Sequence, residues 1–462
     1  MMLAGARNTA AETASTPGST PRVAPLHAGD PLTLREAIAL ALRFHPARLA
    51  ALSEAAAVHE RIGEAESGYL PQVFGTAQYL RSTDNGIGGT AYLTAPGFPR
   101  YPSTGETSGS TRSFDNYLMG VSAYQYLFDF GRLRGLVDER KAEADLEQAR
   151  ARLVELDVVF QVAQSYADLL AAEATIQVYE EAVAQRQTHL NEADLKSKAG
   201  LKPEIDVYTA RAELARAQLE LVNARNRRTI AKVALDNAMA LGADAPEYRL
   251  VDKLRYEDEI GPLESFLSEA FAQRPDLKVL EDQAVAAGAR IEQVKSDYLP
   301  TFGLTASYSA RGQDLPAANN ADVGLVISWP IFNGFLTDHE LAEDRLHAQS
   351  IEQAIDDIRQ RIYAQVKGGF LGVNAAVQHI HQAEQSVEAS RSELDLAQRR
   401  YQIGLGNILE LTEAQRRATQ DQADYVQALA DFSIAHAALD RDAGTTPTLE
   451  PEPQSKTGGG TN

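Results

Sequence analysis

The chain repeats itself, and the repeat constrains everything it can fold into. Slid by 229 residues, His45-Pro46 falls on Arg274-Pro275, Ser67 on Ser296, and Tyr69-Leu70-Pro71 on Tyr298-Leu299-Pro300. Further along the offset is 204, and Leu127-Phe128-Asp129 falls on Ile331-Phe332-Asn333 and Gly200-Leu201 on Gly404-Leu405. Two registers held over such lengths mark an internal duplication, which sets the architecture before any local reading. The copies are 31–242 and 262–444, joined by a linker at 243–261. The first copy carries 25 extra residues between its proline and its Leu-Phe-Asp motif.

Proline and glycine divide both copies alike. Helices are predicted over 32–44 and 47–68, and again over 262–273 and 276–298, each pair stopping before a proline. Two strands follow, at about 71–81 and 114–126 in the first copy and 301–311 and 321–330 in the second. In the second copy Phe302, Leu304, Ala306, Tyr308 and Ala310 alternate with polar or small residues, and Val323, Leu325, Ile327 and Trp329 do the same. That is period 2 with one apolar face. The connection at 82–113, rich in Gly, Ser, Thr and Pro, reads as a long exposed loop. Proline-free spans of 68 and 69 residues follow at 131–198 and 334–402. Each predicts a helix of about 100 Å at 1.5 Å per residue. In the second span apolar or small residues recur every three or four positions from Ile355 to Tyr401, as in a coiled-coil seam. Short turns at 198–203 and 402–407 reverse the chain into returning helices, 204–241 and 408–442. The class is therefore α+β and predominantly helical, with the order helix, helix, strand, strand, very long helix, helix written twice.

Composition excludes more than it proves. No run of 18 apolar residues exists, so a transmembrane helix is not expected. A net charge of −20 argues against nucleic acid. The absence of cysteine removes disulfides and thiolate chemistry. Residues 1–30 read as a flexible segment with no visible signal peptide, and 445–462 as a disordered tail. There is no phosphate loop and no metalloprotease motif. His379 and His381 stand two apart on a helix and cannot chelate together. No enzyme, cofactor or metal is expected.

The two copies of "YLP", strand, strand, "LFD" or "IFN", long helix, "GL" turn and helix resemble the TolC-type outer-membrane channel proteins over about 31–444. The resemblance implies a homotrimer in which four strands per chain make a twelve-stranded membrane β-barrel, continued by a periplasmic α-helical barrel. It implies outer-membrane lipid around the strands. It also implies a periplasmic adaptor protein and an inner-membrane transporter as partners, in efflux or type I secretion. Two rivals fit the residues alone: a non-channel periplasmic helical scaffold whose small sheet has one wet face, and a duct dedicated to protein secretion.

Four groups of residues follow as expectations. Phe302, Leu304, Tyr308, Val323, Leu325, Ile327 and Trp329 face lipid. Gly200, Leu201, Gly404 and Leu405, at the hairpin ends, touch the adaptor. Asp206 and Tyr401 match a tip-closing network of the family, whose basic partner falls here on Gly406. Glu410 and Glu413, three apart on one helix face, match pore-lining acids that would raise one another's proton affinity and attract cations. Asn407 offers Glu410 a competing role as the answering residue of an N-cap. Gly368, Gly369 and Gly372 lie inside the second long helix and imply either close packing or a bend.

Overall fold

The computed structural model describes residues 27–83, 113–242, 245–312, 315 and 318–446. Of the loop expected at 82–113, residues 84–112 lie outside them while 82, 83 and 113 belong to strands, and most of both expected tails lie outside as well. Within them each repeat has the predicted order. The first copy comprises α1 (Leu34–Phe44), α2 (Pro46–Glu66), β2 (Gln72–Thr83), β3 (Ser113–Phe128), α3 (Arg132–Lys198) and α4 (Glu204–Ala238). The second comprises α5 (Leu263–Gln273), α6 (Pro275–Ser296), β5 (Thr301–Gly312), β6 (Ala318–Ser328), α7 (Leu336–Gln402) and α8 (Ile408–Asp442). Two-residue strands β1 (Pro31–Leu32) and β4 (Arg249–Leu250) pair in parallel and tie the chain start to the linker.

Local chemistry sets the boundaries. Thr33 and Glu36 form a reciprocal capping box that starts α1. Pro46 and Pro275 sit in the first turns of α2 and α6, where a missing N–H costs nothing. The Leu-Phe-Asp motif has a mechanical role. The Asp129 carboxylate accepts from the Gly131 and Leu133 N–H groups at 3.1 and 2.8 Å and so caps the strand-to-helix turn. Both long helices run 67 residues without a break.

Three layers share one order. The strands lie β2-β3-β5-β6, all antiparallel. Beneath them the helices lie α2-α3-α6-α7, and lower still α4-α3-α8-α7. The long helices run through both helical layers, so the described residues form one stave whose edge elements are β2 and β6, α2 or α4, and α7. The main cores lie where the short helices and the linker wrap the long ones. One gathers Leu32, Leu40, Val162, Tyr166, Leu235 and Tyr248; its counterpart gathers Ile362, Val366, Val373, Ile380, Phe432 and Leu439. The linker is pinned by Asp252, which accepts from the Leu34 N–H at 2.8 Å and from the Tyr166 hydroxyl at 2.7 Å.

The internal glycines leave α7 an unbroken helix. A Cβ on Gly369 would meet Leu439 Cδ1 at 3.4 Å, which is close packing against α8. Gly368 and Gly372 have open space instead, so close packing within the chain accounts for one of the three.

Candidate functional site: sheet face and hairpin tips

The sheet register aligns its two faces across all four strands. One face carries the rows Val73–Ala123–Ala306–Val323 and Gly75–Val121–Tyr308–Ala321. Phe302 and Leu304 lie opposite Ile327 and Leu325 on the same face. Val323 and Leu325 are 79% and 74% exposed, and Leu304, Tyr308 and Ile327 are exposed too; Phe302 is half-buried. The other face carries the row Thr76–Gly120–Ser309–Asn320. Its Ser122 and Ser309 are buried although no described helix covers the sheet, so this is the concave side. The sheet thus has an apolar convex face and a polar concave one, as a membrane strand with a wet lumen requires. Trp329 lies just past the end of β6, exposed, and its indole N–H donates to the Tyr298 carbonyl at 3.1 Å. The Tyr298 hydroxyl in turn donates to Asp338 at 2.9 Å. The aromatics therefore mark the sheet-to-helix junction.

At the other end of the stave both hairpins close alike. Gly200 and Gly404 take left-handed φ of 71° and 81°. The N–H of Leu201 donates to the Lys196 carbonyl and that of Leu405 to the Arg400 carbonyl, both at 2.9 Å. This six-to-one closure is a glycine-dependent helix stop. It leaves Leu201 and Leu405 at the tips, 74% and 73% exposed.

Behind the tips Tyr401 is fully buried and its hydroxyl donates to Asp206, also buried, at 3.3 Å. Burial and the Asp206 charge push the phenol up to about 12. Sequence reasoning placed the network's basic member at position 406 and found it missing. In the structure Gly406 packs on the Tyr401 and Arg400 backbone, and the basic groups come from the first repeat. Lys202 and Lys196 stand 4.7 and 5.3 Å from the Tyr401 ring centre, and His189 meets the ring edge-on at 5.0 Å. Burial holds the His189 imidazole below its ordinary value. These partners lie about 200 residues from Tyr401 in sequence, so no local signal could reveal them.

Both glutamates are engaged by arginines of the same chain. Asn407 does cap α8, its side chain accepting from the Glu410 N–H at 2.7 Å, but the Glu410 carboxylate pairs with Arg400 at 3.0 Å. Glu413 accepts from Arg416 at 2.7 and 3.2 Å and lies 3.4 Å from Arg417. Its pKa is lowered, first by the Arg416 hydrogen bond. The Glu-to-Arg spacing of three was a readable signal for this pair. Among the described residues no group of three metal-ligating side chains converges, and His381 pairs with Asp258 at 3.0 Å.

A chain whose described residues form a sheet with an edge strand on each side, an apolar convex face and a polar concave one is a segment of a membrane barrel wall. Helices 67 residues long carry that wall away from the membrane. The class so defined is an outer-membrane channel with a helical tunnel. The outer membrane efflux protein family model matches twice, at 37–241 and 266–445, one match per repeat. The chain is 26% identical over 384 residues to the outer membrane protein TolC of Escherichia coli, covering 78% of this chain and 71% of that one. It is 27% identical over 325 residues to the probable efflux pump outer membrane protein TtgC of Pseudomonas putida, covering 68% and 65%. Its fold matches CusC at a TM-score of 0.75, with 18% identity and coverage of 89% and 92%. It matches the outer membrane protein VceC of Vibrio cholerae at 0.72, with 19% identity and coverage of 89% and 96%. The chain belongs to the outer membrane efflux protein family, the TolC-type channels.

Proposed function

We propose that three copies of this outer-membrane exit duct close one continuous wall, β6 of each pairing with β2 of the next. Substrates delivered by an inner-membrane transporter and a periplasmic adaptor then leave through its lumen. The observation that carries this reading is the edge geometry. Among the described residues all three layers end in elements with no further neighbour on the same two sides, and an exposed strand edge is stable only if paired or guarded. The convex face, with Phe302, Leu304, Tyr308, Val323, Leu325 and Ile327, meets lipid, and Trp329 anchors its periplasmic rim. The tips, through Gly200, Leu201, Gly404 and Leu405, dock on the adaptor: two exposed leucines on rigid turns offer an apolar contact at the far end of the tunnel. Tyr401 and Asp206 hold the second hairpin against the first and narrow the tip, and the α8 face bearing Glu410 and Glu413 lines it. Fractionation together with single-channel recording tests the reading. Recovery in the outer membrane as a trimer with a stable conductance is expected; a soluble periplasmic protein without conductance overturns it.

A further inference from the structure

The exposed face of α8 near the tip is not purely acidic. Leu411, Thr412, Ala414, Gln415 and Ala418 are buried, while Glu410, Glu413, Arg416 and Arg417 are partly or fully exposed. At 3.6 residues per turn these four charged positions fall within an arc of about 120°. No rotation of α8 presents Glu413 to a lumen without also presenting the arginines. The pairing is built rather than incidental. Arg416 engages both Glu413 oxygens, Arg417 bridges Glu413 to Glu393 of α7 at 3.1 Å, and Arg400 holds Glu410. A two-pronged guanidinium–carboxylate contact is the strongest of the charge-assisted hydrogen bonds. The surroundings agree. Residues 190–211 and 391–417, the two hairpin ends, hold nine Lys and Arg against eight Asp and Glu. The rest of the chain holds 35 against 56, from totals of 44 and 64.

We infer that Arg416 and Arg417 set the charge preference of the tip, making it a mixed guanidinium–carboxylate constriction that admits anionic and zwitterionic substrates and does not collect multivalent cations. The inference rests on the reading above that the exposed face of α8 lines the lumen at the tip. A guanidinium carries five N–H donors, more than one carboxylate occupies, so a passing anion still meets donors, whereas a multivalent cation finds each carboxylate already engaged. In water one unneutralised charge within about 5 Å changes the local concentration of a monovalent ion about fourfold, upward for one sign and downward for the other. The cation-over-anion ratio thus changes about sixteenfold per charge, and removing the two arginines should raise it by at least about tenfold.

The test uses the full-length protein in planar bilayers under a KCl gradient, with lanthanum as the multivalent probe. Wild type should show weak ion preference and little lanthanum block. Arg416→Gln with Arg417→Gln, both at exposed positions, should become strongly cation-selective and lanthanum-sensitive while remaining trimeric. Glu410→Gln with Glu413→Gln should shift preference toward chloride. A conducting wild type that is already strongly cation-selective, and that the arginine substitutions leave unchanged, overturns this inference and spares the duct. A trimer that inserts but never conducts overturns the duct reading and this inference with it.

Discussion

The sheet offers the sharpest test because two substitutions three residues apart should behave oppositely. Val323 lies in the row Val73–Ala123–Ala306–Val323, and Ala306 is the sixth of the twelve residues of β5, so this row runs near mid-height. Its side chain is 79% exposed on the convex face. Asn320 lies on the concave face in the row with Thr76, Gly120 and Ser309. Arginine on the lipid face costs about 2–4 kcal/mol at the midplane, and three copies raise this to about 6–12 kcal/mol per barrel. A charge facing a wet lumen carries no such penalty. Val323→Arg should therefore be lost from the outer-membrane fraction or unfold at markedly lower urea in vesicles, while Asn320→Arg inserts and unfolds like wild type. Equal tolerance of both refutes the membrane assignment of the sheet, and equal loss of both refutes the register.

Other expectations are as specific. Leu201→Asp combined with Leu405→Asp should leave trimers and conductance intact but abolish export in cells, since only the docking surface changes; normal export refutes the tip contact. Tyr401→Phe removes the hydrogen bond to Asp206, worth about 0.5–1.5 kcal/mol, and should raise open-tip conductance or open time about two- to tenfold in bilayer recordings. Two histidines should respond to pH with opposite sign. The folded pKa of His189 is lowered from 6.5, so its contribution is present above that value and is lost as pH falls through it toward the folded pKa. The folded pKa of His436, 3.3 Å from Asp440, is raised, so its contribution is complete below 6.5 and is lost as pH rises through the folded pKa. Thermal unfolding at pH 5.5 and 8 should show His189→Gln relieving acid sensitivity and His436→Gln abolishing the acid gain; identical pH profiles for both variants would contradict these assignments.

Much of this fold was legible because its signals are periodic or punctuated. The strand faces follow from alternation in 301–311, and the long helices from the absence of proline and the recurrence of Ile362, Val366, Val373 and Ile380. What escaped was contact between distant segments. The β1–β4 pair is only two residues wide, below any pattern, yet it works with Asp252 to fasten the linker across α1 and α3. At the tip, the duplication aligned the two glycine turns, but nothing local says that Lys196 and Lys202 of one turn cover the tyrosine behind the other. Glu413 is a different case: its position matches acids of the family, and the arginine three residues on, legible at helical spacing, engages it within the chain.

The duplication also bears on the proposed meeting of copies. Within the chain α8 packs on α3; α4 corresponds to α8 and α7 to α3, at the 204-residue offset. On α4, Val222, Ile230 and Val233 are 61–62% exposed, whereas their counterparts Val426 and Ile434 are half-buried and Ala437 is buried. On α7, Tyr363 and Leu371 are 45% and 57% exposed, whereas Val159 and Ala167 on α3 are 2% and 4% exposed. The same sites are thus covered where the chain supplies a neighbour and bare where it does not. A second copy that sets its α4 on this α7 repeats the internal contact and covers both bare faces, including the open side of Gly372, which stands where α3 has Asp168. Under the closure proposed above, sheet and helices would join copies by one rule: β6 on β2 of the next copy would repeat β3 on β5, as α7 on α4 of the next copy would repeat α3 on α8.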